Sequence, residues 1–247
     1  MNDREQELVQ AVRELARGSF TERADAADKA GTFTTENVEE LQALNVPGMM
    51  LGEAWEGGAM SPEAAVRVVE EIAYGDASTA VALNMYLLIA NAVESFPSFP
   101  ARDAALFDIA KNQALICGAG SVPTSALDTR TSGYRGREDG DDIVIKGRAG
   151  FASMSEGATY TIIGGLLEAD PEAEDPTVML TVPRMDTPGL INHMNWSAMG
   201  LRGTASHDLE AQDMRIPKTD VFMVPLSLAR MAQQNMPLEA IQRRSWG

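Results

Sequence analysis

The pattern of apolar residues changes once along this chain, near Leu115, and that change limits the fold more than any other feature. Before it, apolar residues recur at helical spacing; after it, they come in short β-prone runs between turn residues. Leu8, Val9, Val12, Leu15 and Ala16 share one face of a helix predicted over 5–16, which Gly18 should end. Thr35-Glu36-Asn37 starts a second helix, to Leu44, with a cap residue and an acid in its first turn. Ser61-Pro62-Glu63 combines a cap, a proline at the first helical position and an early acid, so a third helix should reach about Tyr74. Gly75-Asp76-Ala77-Ser78 breaks that helix and caps the next. This next helix, to about Val93, has almost no polar face and should be buried on most sides. A further helix is predicted over 102–111.

Strands are predicted over 115–117, 142–146, 160–167, 177–182, 190–194 and 207–216. The acidic stretches 138–142 and 168–175 read as solvated hairpin tips. The fold class is therefore α+β. An all-helical N-terminal domain over 1–114 precedes a small antiparallel β-barrel or sandwich over 115–224, and a helical pattern resumes in 225–247.

The 36 acidic and 20 basic residues give a formal charge of −16. That balance opposes non-specific nucleic-acid binding and attraction to an anionic membrane surface. One cysteine, Cys117, excludes a disulfide framework within the chain, and two histidines, His193 and His207, are too few for a histidine-rich metal site. Each histidine reads as a hydrogen-bonded structural residue, and Cys117, in the apolar run 114–117, as inert. The N-terminus shows no signal-peptide pattern. The apolar stretch 80–93, interrupted by Asn84 and Asn91, should be too short and too polar to span a bilayer. A cytoplasmic location without membrane insertion is the default expectation.

Four segments in fixed order carry a more specific signal. They are Val69 to Ser78, Ser121-Val122-Pro123, Ile145 to Ser153 (Ile-Lys-Gly-Arg-Ala-Gly-Phe-Ala-Ser), and Trp196 to Leu209 followed by Met214-Arg215-Ile216-Pro217. Together they resemble the acyl-CoA dehydrogenase superfamily, including its flavin-dependent hydroxylase branch, over roughly residues 1–225. The resemblance implies a flavoprotein oxidoreductase of fatty acid metabolism. Such an enzyme would use FAD, or alternatively FMN, to dehydrogenate an acyl-CoA thioester at the α,β positions with hydride transfer to flavin. A monooxygenase of the same fold and a non-catalytic subunit are the alternatives. The resemblance also implies that Phe151 packs on the flavin ring and that the Ser153 hydroxyl, with Ala152 between them, bonds its redox-active edge. If the segment is extended, residues i and i+2 share a face and both side chains reach one flat ligand. Gly120 and Ser121 would present backbone amides to the flavin's pyrimidine edge, and Leu127 would stand where a serine often contacts flavin or thioester. Val122 replaces the family's acid, which points to a divergent member. Arg202, Thr204 and Ser206 read as structural, satisfying turn carbonyls.

The family's catalytic base lies in C-terminal helices, so no catalytic residue is assigned among Glu70, Glu71 or Asp128. The terminus Arg243 to Gly247 reads as an interruption, by truncation or with a partner chain supplying the remaining helices. Weak or absent flavin binding and self-association as a homo-oligomer or heteromer are the corresponding expectations.

Overall fold

The structure is a computed structural model that describes residues 1–120, 133–168 and 174–229. Ser121, Leu127, Asp128 and the pattern after residue 229 lie outside the described residues.

Asn2 opens α1 (Asp3–Leu15) with a reciprocal capping box to Glu5. Gly18 does not end this helix. The chain passes through a π turn, Ala16–Phe20, in which Gly18 takes φ −101° and ψ −105°, and continues as α2 (Thr21–Ala30). The periodicity gave no sign of α2 because none of its residues is buried. Gly31, at φ 67°, supplies its left-handed stop. The remaining helices follow their sequence signals closely: α3 (Thr35–Ala43), α4 (Pro62–Gly75), α5 (Ala77–Ser95) and α6 (Pro100–Asn112). The last begins earlier than predicted, with Pro100 at its first position. At 19 residues and a mean hydropathy of 1.2, α5 reaches the length and composition of a membrane span, contrary to the expectation from 80–93. Half of that window is nevertheless buried inside the protein, as in a core helix.

Polar groups fix the helices at two points. Asp76 caps α5 by accepting from the Ser78 amide at 2.9 Å, and it also accepts from Thr79 Oγ1 at 2.6 Å and Asn37 Nδ2 at 3.1 Å. Arg23 Nε in turn donates to Asn37 Oδ1 at 2.9 Å, so α2, α3 and α5 meet at one buried polar hub. Between α1 and α4, buried Glu71 accepts from Arg13 at 2.6 Å and from Arg17 at 3.3 Å. The Arg13 guanidinium foremost, opposed by burial, holds the Glu71 carboxyl below its ordinary range, which makes it a structural anion.

The β region is one eight-stranded sheet: β1 (Ile116–Gly118), β2 (Tyr134–Asp139), β3 (Asp142–Ala152), β4 (Tyr160–Leu167), β5 (Thr177–Thr181), β6 (Leu190–Asn192), β7 (His207–Pro217) and β8 (Val221–Pro225). Its order is β6-β7-β3-β2-β4-β5-β8, with β1 beside β4. Pairing is antiparallel except for β1 with β4 and β2 with β4. β6 and β8 end the order without pairing to each other, so the sheet stays open where a closed barrel was a possibility. β2 and β8 are strands the sequence did not announce, and β3 runs on to Ala152 where a stop at residue 146 was predicted. The acidic tip at 138–142 is the β2–β3 hairpin turn, and its charges pair with Arg215 and Lys218.

Two apolar clusters divide the interior. One lies within the curl of the sheet and includes Cys117, Tyr134, Ile143, Ile145, Leu209 and Met214. The other is the helical core, and it also takes in Ile116, Met154, Tyr160 and Val182 from the sheet side. Adjacent Ile116 and Cys117 thus face opposite cores, as strand alternation requires. Burial pushes the Cys117 thiol up to about 12, which keeps it protonated and unreactive.

Two substitutions test this framework. A Cβ at Gly75 would drive into the carbonyl oxygen of Ala16, so Gly75→Ala should cost about 1–3 kcal/mol in urea unfolding. Asp76→Ala removes a cap and strands two buried donors, and should cost about 2–3 kcal/mol in the same measurement. Changes under about 0.5 kcal/mol would contradict these roles.

Candidate active site

The end of β3 turns sharply. The pairing of β3 with β7 is irregular between Ala149 and Ala152, and within that irregularity Phe151 takes φ 64°. The Ser153 amide donates to the Phe151 carbonyl at 2.9 Å. Phe151 and Ser153 therefore do not follow the extended i, i+2 geometry expected from sequence. A left-handed residue redirects the chain between them. Phe151 projects outward at 59% exposure. Its ring meets Trp196 edge-on, with centroids 5.6 Å apart and an interplanar angle of 71°.

Ser153 turns the other way and joins a row of hydroxyls. Its Oγ lies 2.8 Å from Ser206 Oγ, which lies 2.8 Å from Thr204 Oγ1, and Thr204 donates to the Leu201 carbonyl at 3.1 Å. The turn after β3 is zipped to the turn before β7 by main-chain bonds as well. The Met154 amide donates to the Thr204 carbonyl at 2.8 Å and the Ser155 amide to the Ala205 carbonyl at 3.3 Å, which also accepts from Ser155 Oγ at 2.9 Å. Thr204 and Ser206 thus orient a predicted site residue, a coupling that their spacing alone did not reveal. Arg202 satisfies the turn carbonyl of Met199 at 3.0 Å, as expected, and also reaches across the molecule to the Asp28 main-chain carbonyl at 2.6 Å and its carboxylate. Gly203 packs beside Ser78 and Thr32, where a Cβ would come within 3.2 Å of the Ser78 side chain.

His207 and His193 both have partners. His207 Nδ1 accepts from the Trp196 amide at 2.8 Å, and its Nε2 lies 2.8 Å from Glu156 Oε1. His193 Nε2 lies 2.7 Å from Glu210 Oε2. Asp208 is bonded by Arg148 and Asn195, at 2.6 and 3.0 Å. Burial would raise its carboxyl, but these two donors outweigh that and hold it below the ordinary range. Glu210 is likewise lowered, by Gln212 first and then His193.

The structure therefore gathers Phe151, Ala152, Ser153, Trp196, Ser206 and His207 at one end of β3 and β7. Trp196 was visible in sequence only as part of the Trp196-to-Leu209 segment, whereas His207 was read there as a hydrogen-bonded structural residue. Met194, Met199 and Leu201 add exposed apolar surface on the adjoining loop, Met199 at 98% exposure. Gly120 lies exposed beyond β1, and none of the described residues comes within 4 Å of where a Cβ would stand. Gly118, by contrast, packs so tightly that a Cβ would approach Ile162 within 2.7 Å. Glu70 pairs with Arg67 at 2.7 Å and Glu71 with two arginines, so both carboxylates are engaged in the helical region.

Comparison with known proteins adds the following. The family description "Acyl-CoA dehydrogenase, N-terminal domain" matches residues 2–113. The short-chain specific acyl-CoA dehydrogenase of Rattus norvegicus mitochondria is 25% identical over 237 residues, covering 96% of this chain and 57% of the relative. The chain thus spans a little over half the length of that relative. Among solved structures, butyryl-CoA dehydrogenase from Megasphaera elsdenii superposes with a TM-score of 0.82 at 18% identity, covering 95% of this chain and 62% of that one. FMN-bound TdsC, a dibenzothiophene monooxygenase from Paenibacillus sp. A11-2, does so with a TM-score of 0.80 at 17% identity, covering 91% and 55%. At these identities the superpositions speak for the fold alone. The helical region followed by the mostly antiparallel sheet is the fold shared with these structures, and residues 2–113 match the N-terminal domain of the acyl-CoA dehydrogenase family.

Proposed function

We propose that this chain forms the β-sheet side of a flavin site in a flavin-dependent oxidoreductase, with acyl-CoA thioester dehydrogenation as its activity. The observation that carries the reading is Phe151, an aromatic fixed in a left-handed turn, exposed and braced by Trp196 beside an oriented hydroxyl. An exposed aromatic held at a left-handed φ is uncommon, and a flat apolar ligand packed on it would account for the arrangement. The donor set fits a flavin: Phe151 offers a ring face or edge, Ser153 a neutral hydroxyl, and the exposed chain at Gly120 a backbone free of side-chain bulk. A bound flavin, FAD or alternatively FMN, would supply two-electron acceptor chemistry. The chain's own residues would bind and orient it and exclude water from one side. Ser206 and Thr204 set the position of the Ser153 oxygen. No residue here is assigned as the base. The relationship to the short-chain acyl-CoA dehydrogenase supports dehydrogenation. The structural likeness to FMN-bound TdsC supports a second reading, a flavin-dependent monooxygenase. Domain limits at residues 114 and 224, and assembly into oligomers, belong to the same proposal.

Titrating the purified protein with FAD and with FMN should quench both flavin and tryptophan emission only at high flavin concentration, the weak binding expected from the sequence. Phe151→Ala should weaken that binding about fivefold or more, the scale of one aromatic contact, while leaving the unfolding midpoint nearly unchanged because the ring is exposed. Equal affinity in the variant would remove Phe151 from the site, and no quenching by either flavin would end the flavin reading. Reduction of a dye by acyl-CoA, set against oxygen consumption with reduced flavin, separates dehydrogenase from monooxygenase.

A further inference from the structure

We propose that His207 is the positioning residue of the Phe151–Trp196 pair and that it holds Trp196 only while its imidazole is neutral. His207 is 5% exposed and opens β7 beneath the pair. Its Nδ1 accepts the Trp196 main-chain N–H at 2.8 Å, so that nitrogen carries a lone pair. The ring proton then sits on Nε2 and is donated to Glu156 Oε1, also at 2.8 Å. Both ring nitrogens are thus committed, one to the segment that carries Trp196 and one to the turn that follows Phe151 and Ser153. The imidazole bridges the two halves of the candidate site.

Protonation changes only one of these contacts. Nε2–H still faces the Glu156 carboxylate, and the pair gains charge. Nδ1 gains a hydrogen, and two donors then face each other, so the Trp196 amide loses its acceptor. The other charged groups near this end of the sheet do not substitute for it. Arg148 on β3 and Asp208 on β7 are paired with each other, and Asp208 stays ionised in mild acid because Arg148 and Asn195 hold its carboxyl down. Asn195 remains tied to Asp208 through two bonds, at 3.0 and 2.9 Å, and the Trp196 indole N–H keeps its bond to the Leu201 carbonyl at 3.2 Å, so only the Trp196 main-chain amide is released. His193, the other imidazole of this segment, faces Glu210 and does not touch Trp196. The expected consequence is an aromatic pair that is ordered while the imidazole is neutral and loosened once it is protonated. Its effect on flavin rests on the reading above; the switch itself lies wholly in this chain's hydrogen bonds.

Selective 15N-tryptophan labelling reads the switch without any ligand. The chain has three tryptophans, and the Trp196 main-chain signal is the one lost in Trp196→Phe. In a pH series from about 8 down to about 5, that amide proton should move upfield once the imidazole takes up its second proton. Its protection factor should fall about tenfold, the scale of one hydrogen bond lost. In His207→Asn the Oδ1 atom replaces Nδ1 as an acceptor that does not titrate, so the amide should stay protected at both ends of the range. His207→Leu should leave it unprotected throughout, and His193→Asn should leave the wild-type response in place. A Trp196 amide that ignores pH in the wild-type protein, or responds equally in His207→Asn, overturns the proposal. FMN titration at the same two pH values forms a separate arm. A responsive amide in a protein that binds no flavin would remove the flavin reading and leave the switch standing.

Discussion

One apolar interior joins the helices to the sheet, and the candidate site depends on it. Met154, Tyr160 and Val182 leave the sheet side to pack among helical residues, so the turn after β3 is built on the helical core. Around that contact the polar groups are specific. Tyr160 donates to Asp108 of α6 at 2.9 Å, and its main-chain amide donates to the Leu115 carbonyl at 3.0 Å. Phe99, at the start of α6, stacks with Phe222 of β8 at 6.4 Å. Burial of this size is the dominant favourable term. The hydrogen bonds decide which of many apolar contacts is made.

Among the described residues, five of the ten non-glycine residues with a left-handed φ lie on the loops of the candidate site. Phe151, Met154, Met194, Leu201 and Ala205 are not glycines, yet all lie at φ between 47° and 69°. Each costs about 1 kcal/mol or more relative to an ordinary backbone. They sit on the loops that carry the aromatic pair and the hydroxyl row. The bonds that compensate are those between the turns, Met154 to Thr204 and Ser155 to Ala205, with Arg202 anchoring the second turn to Asp28. The shape of the site is therefore a product of contacts between segments about 50 residues apart in sequence.

This explains what the sequence could and could not disclose. Local chemistry announced itself: Ser61-Pro62-Glu63 opens α4, Asp76 caps α5, and the run 160–167 is β4 to the residue. Elements without a local pattern did not. α2 buries nothing and so has no stripe. β2, with Arg135, Arg137 and Glu138, takes its strand form from six paired positions on β3. The open sheet and its parallel pairs are long-range facts as well. At the site, motif resemblance drew attention to Phe151 and Ser153, but the geometry used to link them, an extended chain with both side chains on one face, does not occur. A left-handed φ at phenylalanine is imposed by the β3–β7 irregularity, which no window around residue 151 contains.

The histidines carry the same lesson into electrostatics. In sequence, His207 had no visible partner, and a hydrogen-bonded structural role was the natural reading. That role is present, but what it holds is an aromatic at the candidate site, and the two bonds differ in kind. The bond to Glu156 survives protonation, whereas the bond from Trp196 requires a neutral ring. A group can therefore be structural in every contact it makes and still make a site sensitive to pH. In its neutral form the same imidazole bridges the turn after β3 and the segment before β7. The ordering of Phe151 and Trp196 is then set by proton activity as well as by packing.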